Sequence, residues 1–240
     1  MSVDRGRAKK AVGLNAKWVI FLLAVFAFRM AFGLCSKQLL TFDDSVQDYL
    51  IGLKSYTTDT WPYFGSSTFV PSESPFKSQV AGAGLGLFTA SALRIWPNAL
   101  SPFLFLNLFN FFALGFLGWY CSKRLPGLSA WFIFTWIYIA PWFTQLTTQI
   151  INQSFMTFGS ALFFVGFMET IPRLRIGALG MGTANFIMGF GVFWCMNFHF
   201  SWVVLGALAA VSLLAQIRGK IYDGVLFFIL GALLPLALVA

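Results

Sequence analysis

Eight apolar runs divide this chain, and most of its charged residues fall between them. They cover about 18–34, 79–96, 99–120, 128–143, 155–171, 176–194, 199–215 and 221–240. A bilayer core takes roughly 20 apolar residues of helix, and a helix closes its own backbone hydrogen bonds in lipid. The pattern predicts an all-α polytopic membrane protein with about eight transmembrane helices in a single domain over 1–240. Its parts are a cytoplasmic tail over 1–17, an extracytoplasmic loop over 35–78 and a helical bundle over 79–240. The final run, GALLPLALVA, has no polar cap, which predicts a chain truncated at its C-terminus.

Charged residues make up 10% of the chain, against about 25% in a soluble domain. The net charge of +8 comes from short clusters between the runs: RGRAKK, SKR, PRLR and IRGK. Such clusters orient a membrane protein by staying in the cytoplasm. They do not form a nucleic-acid surface, and no nucleic-acid partner is expected. The basic segment ahead of the first run reads as a signal anchor with a cytoplasmic N-terminus. With the acidic loop outside, the last three clusters agree with one another. Two full crossings between 79 and 120 would nevertheless put Lys123 and Arg124 outside, so one of those runs is not a full crossing or that cluster breaks the rule.

Cys35, Cys121 and Cys195 are isolated, with no metal-ligand spacing, and His199 is the one histidine. No metal site and no cofactor are expected. Gly82, Gly84 and Gly86 suit close helix approach; no phosphate-loop signature follows them.

Five of the eight acidic residues lie between Cys35 and Gln79, and two of these are adjacent, Asp43 and Asp44. Carboxylates near hydrocarbon are costly unless a function or a partner holds them there. From Asp44 to Thr57, Val46, Tyr49, Leu50 and Leu53 form one apolar stripe, with Gln47, Asp48 and Lys54 opposite. This predicts an amphipathic helix lying on the membrane surface. The Pro- and Gly-containing stretch after it predicts irregular backbone up to Lys77. In a chemical reading, Asp43 takes a proton from an attacking hydroxyl and Lys77 pairs with a substrate phosphate. In a structural reading, Asp43 caps the helix and Lys77 is a snorkelling interfacial lysine.

Arg29 lies within the first run. It either pairs with Asp43 or a phosphate at the outer interface, or snorkels to lipid headgroups. Glu169 and Asp223 read as surface ion-pair residues beside Arg173 and Lys220.

The order of these features resembles the polytopic GT-C glycosyltransferases, in particular the bacterial relatives of dolichyl-phosphate-mannose protein mannosyltransferases and lipid A aminoarabinose transferases. The resemblance rests on Arg29 in the first span, Phe42-Asp43-Asp44 before a helix with Tyr49, then Pro62-Tyr63-Phe64-Gly65, and Pro75-Phe76-Lys77 leading into a Gly/Leu-rich span. It implies transfer of a sugar from a polyprenyl-phosphate donor to a lipid, glycan or protein acceptor at the outer face of a cell membrane. The family's essential acid maps to Asp43. The family usually has Asp-Glu where this chain has Asp43-Asp44, so Asp44 shares the catalytic assignment. Arg29, Tyr49, Tyr63 and Lys77 are the substrate-binding candidates in this part of the chain. Many members carry a second acid in a later outer loop. Here that stretch, 148–154, has no carboxylate, and Gln149 and Asn152 become candidates for binding substrate hydroxyls. A transporter or flippase of a lipid-linked substrate and a non-enzymatic assembly subunit are the competing readings.

Overall fold

The computed structural model describes residues 16–35, 43–62, 64–67, 79–81, 84–150, 152–198, 203–219 and 221–237; at 43–45, 64–67, 79–81 and 152 the description is of backbone. These residues form ten helices and one two-stranded ribbon: α1 (Ala16–Cys35), α2 (Asp43–Thr58), β1 (Phe64–Ser67), β2 (Gln79–Ala81), α3 (Gly84–Ile95), α4 (Ser101–Arg124), α5 (Ala130–Ile139), α6 (Pro141–Thr148), α7 (Asn152–Thr170), α8 (Met181–Phe198), α9 (Val203–Arg218) and α10 (Asp223–Ala237). By length and composition, α1 and α4 can each cross a membrane. A third candidate is α6 with α7, which meet at 114°.

Contacts fix the helix directions. A Cβ on Gly33, near the end of α1, would stand 2.7 Å from the Phe103 ring at the start of α4. Further down, Phe26 meets Phe111 with centroids 5.2 Å apart. At the other end Trp18 meets Phe134 at 5.3 Å, and Phe134 lies against Gly118. The two helices are therefore antiparallel. Phe109 against Phe158 and Tyr120 against Glu169 make α7 parallel to α4. The bundle then turns back through α8, down through α9 and up through α10, as the pairs Gly166–Ala184, Asn185–Gln216 and Asn197–Pro235 show.

This ordering places the basic clusters of the described residues at one end of the bundle. The run 79–96 does not form a span: its first residues form β2, and α3 has 12 residues, about 18 Å of helix against a hydrocarbon core of about 30 Å. With α3 confined to one end, α4 returns the chain to the end where α1 begins. Lys123, Arg124, Arg173, Arg175 and Arg218 all belong to that end.

Helix α8 sits at the centre of the second half and touches its neighbours through glycine. A Cβ on Gly191 would stand 2.5 Å from the Gly159 carbonyl and 2.6 Å from the Phe163 nitrogen of α7. On the other side, Gly189 faces the Phe228 carbonyl of α10, and Gly231 of α10 faces the Phe186 carbonyl. Such close backbone approach replaces the hydrophobic drive that helices lack in lipid.

At the opposite end from the basic clusters, β1 and β2 pair antiparallel, Phe64 with Ala81 and Ser67 with Gln79, where the sequence predicts irregular backbone. Helix α2 forms almost where expected, but the face it buries is rotated from the expected stripe: Tyr49 and Leu53 are half-buried and Lys54 is exposed. Asp48, Gly52 and Ser55 are buried, while Val46 and Leu50 are 37% and 52% exposed. Gly52 decides this: a Cβ there would stand 2.8 Å from the Gly86 carbonyl and would strike Thr89, so the small, polar side of α2 crosses α3. The Arg94–Asp59 ion pair closes the same interface.

Candidate functional site

Buried polar side chains concentrate where α1, α4 and α6 meet, toward the acidic-loop end. Arg29 lies six residues before the end of α1 and is 1% exposed. It does not snorkel. Its guanidinium donates to the Tyr138 carbonyl at 3.0 Å and to the Thr147 hydroxyl.

The reason lies in Pro141. Proline has no N–H and cannot continue α5, so Ala140 leaves helical geometry with ψ 125° and α6 starts anew. The carbonyls ending α5 lose helical partners and carry the negative end of its dipole. Arg29 and the Thr144 hydroxyl, at 3.1 Å, both serve the Tyr138 carbonyl. A buried cation is thus placed against the C-terminal end of a half-helix. Sequence reasoning treated 128–143 as one short span, although Ala140-Pro141 was the signal for the break.

Facing Arg29 is a stripe of α4. Phe103 touches α1 through Gly33, and the Asn110 amide donates to the Thr147 carbonyl at 2.9 Å. Asn107 lies between them on the same face and donates to the Phe103 carbonyl at 3.0 Å. Four buried polar atoms find no hydrogen-bond partner among the described residues: Arg29 Nε, Ser101 Oγ, Asn107 Oδ1 and Asn110 Oδ1. All four belong to α1 and α4 in this region. A buried polar atom left without a partner costs about 1–3 kcal/mol, and buried polar groups are ordinarily paired. The sequence reading passed over both asparagines, whose spacing of three inside an apolar run was the available clue.

The other candidates are distributed as follows. Gln149 is buried at the end of α6, 4% exposed and engaged in the surrounding contacts. Asn152 opens α7, and Ser154, two residues on, donates to the Leu146 carbonyl. Tyr49 of α2 donates to the Ala99 carbonyl at 3.4 Å, between α3 and α4. Partial burial raises its pKa above the usual phenol value, which keeps it a donor. Asp43 and Asp44 open α2; their side chains, and Tyr63, Lys77 and His199 entirely, lie outside the described residues. Arg29, Gln149 and the start of α7 therefore share one end of the bundle with α2, which reaches α3 through Gly52.

Comparison with known protein families, curated proteins and solved structures gives no match. The chemistry of the site rests on its own residues. Among the described residues no three His, Cys, Asp or Glu side chains group as metal ligands would.

Two hollows lie elsewhere among the helices. A cavity of about 130 Å³ separates α3 from the end of α8, with Ser91 and Asn197 as its polar lining. A wider groove of about 680 Å³ runs between α8, α9 and α10, lined by side chains such as Val192, Phe193, Val204 and Leu213, with Gly206, Ala207 and Ala210 giving it room.

The opposite end corrects a further expectation. Glu169 is not a surface ion-pair residue. It is fully buried and accepts from the Tyr120 hydroxyl at 3.0 Å and from the backbone N–H groups of Ile176 at 3.1 Å and Leu179 at 3.4 Å. Nearby, Asn185 and Gln216 exchange reciprocal amide hydrogen bonds at 2.9 and 3.0 Å, and Ser212 links Gln216 to Thr170.

Proposed function

We propose that this chain is a membrane glycosyltransferase that moves a sugar from a polyprenyl-phosphate donor to a lipid, glycan or protein acceptor at the outer membrane face. Its N-terminus and basic clusters lie in the cytoplasm. The reading takes α1, α4, α5 with α6, α7, α8, α9 and α10 as its membrane segments, of which α1 and α4 are long and apolar enough as single helices. The acceptor hydroxyl attacks the anomeric carbon and gives its proton to Asp43, with Asp44 beside it. The bond from that carbon to the phosphate oxygen breaks, and its electron pair leaves with the polyprenyl phosphate. Lys77 and Arg29 supply positive charge to the leaving phosphate. Tyr49, Tyr63, Gln149 and Asn152 surround the sugar. No metal or other cofactor enters this scheme.

One observation carries the reading: a buried guanidinium and polar atoms without a hydrogen-bond partner among the described residues gather at the end of the bundle where the acidic loop is attached.

A specific observation favours a second reading, a transporter or flippase of a lipid-linked substrate. Discontinuous helices with charged groups at the break line many transporter sites, and the Pro141 break with Arg29 against it is such an arrangement.

The test uses proteoliposomes containing the chain, a panel of labelled polyprenyl-phosphate sugars, and wild type beside Asp43→Asn. Label should reach an acceptor in wild type and fall by about 10²-fold or more in the variant, the size of a lost general base. Donor crossing the bilayer without label transfer would decide for the transporter. Transfer that survives the substitution would remove Asp43 from the mechanism.

A further inference from the structure

We propose that the end of the bundle opposite the acidic loop binds the headgroup of an anionic phospholipid on a basic platform formed in advance. The proposal needs the chain to sit in a bilayer, and it does not depend on sugar transfer.

Exposed cations converge there from three helix ends. Lys123 closes α4, Arg173 and Arg175 lie in the α7–α8 connection, and Arg218 closes α9. Two described carboxylates share this end. Glu169 is buried and fully engaged, and Asp223 is exposed in the first turn of α10. The outward charge is therefore strongly positive. Trp18 stacks on Trp131 with centroids 4.1 Å apart, and Tyr222 is 63% exposed at the start of α10. Aromatic residues so placed sit at headgroup depth.

Orientation by basic loops requires cations but not a rigid loop. This loop is clamped from both sides. The Glu169 carboxylate holds the Ile176 and Leu179 N–H groups, and Arg124 donates to the Leu174 carbonyl. Leu174 and Arg175 both donate to the Ile171 carbonyl at 2.9 Å, and Gly177 turns the chain with φ +73°. Burying a carboxylate inside the bundle end to pin a short connection has a desolvation cost. What it gains is two arginines on a fixed backbone, which bind a phosphate without an ordering penalty. A phospholipid with a net negative headgroup meets both the charge and the depth.

The experiment measures association of spin-labelled phosphatidylglycerol, relative to spin-labelled phosphatidylcholine, with the purified chain in phosphatidylcholine vesicles. Wild type should prefer phosphatidylglycerol saturably. Arg173→Gln/Arg175→Gln, both exposed, should lower the preference by about fivefold for each cation removed. Glu169→Gln removes no surface cation, yet should lower the preference as the loop loosens. Tyr120→Phe takes off one bond of the same clamp and replaces Glu169→Gln if that variant does not fold. A preference unchanged in the double variant overturns the proposal. A preference that falls in the double variant but holds in a folded clamp variant also overturns it, since diffuse attraction would then suffice.

Discussion

Replacing Gly191 with valine will force α7 from α8 and leave little folded protein. The new Cβ would fall 2.5 Å from a backbone carbonyl and 2.6 Å from a backbone nitrogen, and neither can move without moving its helix. Overpacking a core ordinarily costs about 1–3 kcal/mol because side chains give way. Here none can, so we expect about 3 kcal/mol or more, and α8 would also lose its register against α10. The readouts are size-exclusion profile in detergent and thermal unfolding by circular dichroism. Gly206→Ala is the matched control. Its Cβ would meet nothing closer than Val192 at 4.0 Å, and alanine in a helix interior adds about 0.5–1 kcal/mol. A Gly191→Val protein as stable as wild type would mean that α7 and α8 do not approach as described.

Arg29→Met will leave the fold near wild-type stability and remove activity. Two hydrogen bonds from a charged donor are worth about 1.5–3 kcal/mol each. Against them stands the desolvation of a guanidinium that is 1% exposed, several kcal/mol after relaxation. The terms offset, Thr144 still serves the Tyr138 carbonyl, and methionine fills much of the volume. We expect a net change within about 2 kcal/mol. On the proposed function, transfer, or transport in the second reading, should fall by about 10²-fold, because that proposal assigns the Arg29 charge to the phosphate. Thermal unfolding and the proteoliposome assay on one preparation separate the two effects. Full activity with lowered stability would make Arg29 only a strut for the helix break.

The features legible in the sequence were those that hydropathy and charge record directly. Apolar helices, basic clusters between them and a helix over about 44–57 follow from segment composition. The failures share a different cause: each turned on which neighbour a residue meets. The 79–96 run is apolar enough for a span, but Gln79–Ala81 pairs with Phe64–Ser67 and the helix that remains is too short. Asp48 was placed on the outer side of α2 by its polarity, whereas Gly52 fixes that side against α3. Glu169 looked like a partner for Arg173, but the N–H groups of the following turn reach it first. For Arg29 the sequence flagged the residue and missed its role, because the Tyr138 carbonyl is 109 positions away. Asn107 and Asn110 acquire meaning only once α1 and α6 are set beside α4.

The amide exchange between Asn185 and Gln216 bears on how the chain is made. Helix α9 carries Ser212 and Gln216 on its buried side, and in a lone helix they would have only each other, with the Gln216 amide oxygen left without its Asn185 donor. Their partners, Thr170 and Asn185, lie earlier in the sequence. Synthesis proceeds from the N-terminus, so α7 and α8 leave the ribosome first. When Gln216 emerges, the groups that satisfy it have already been made.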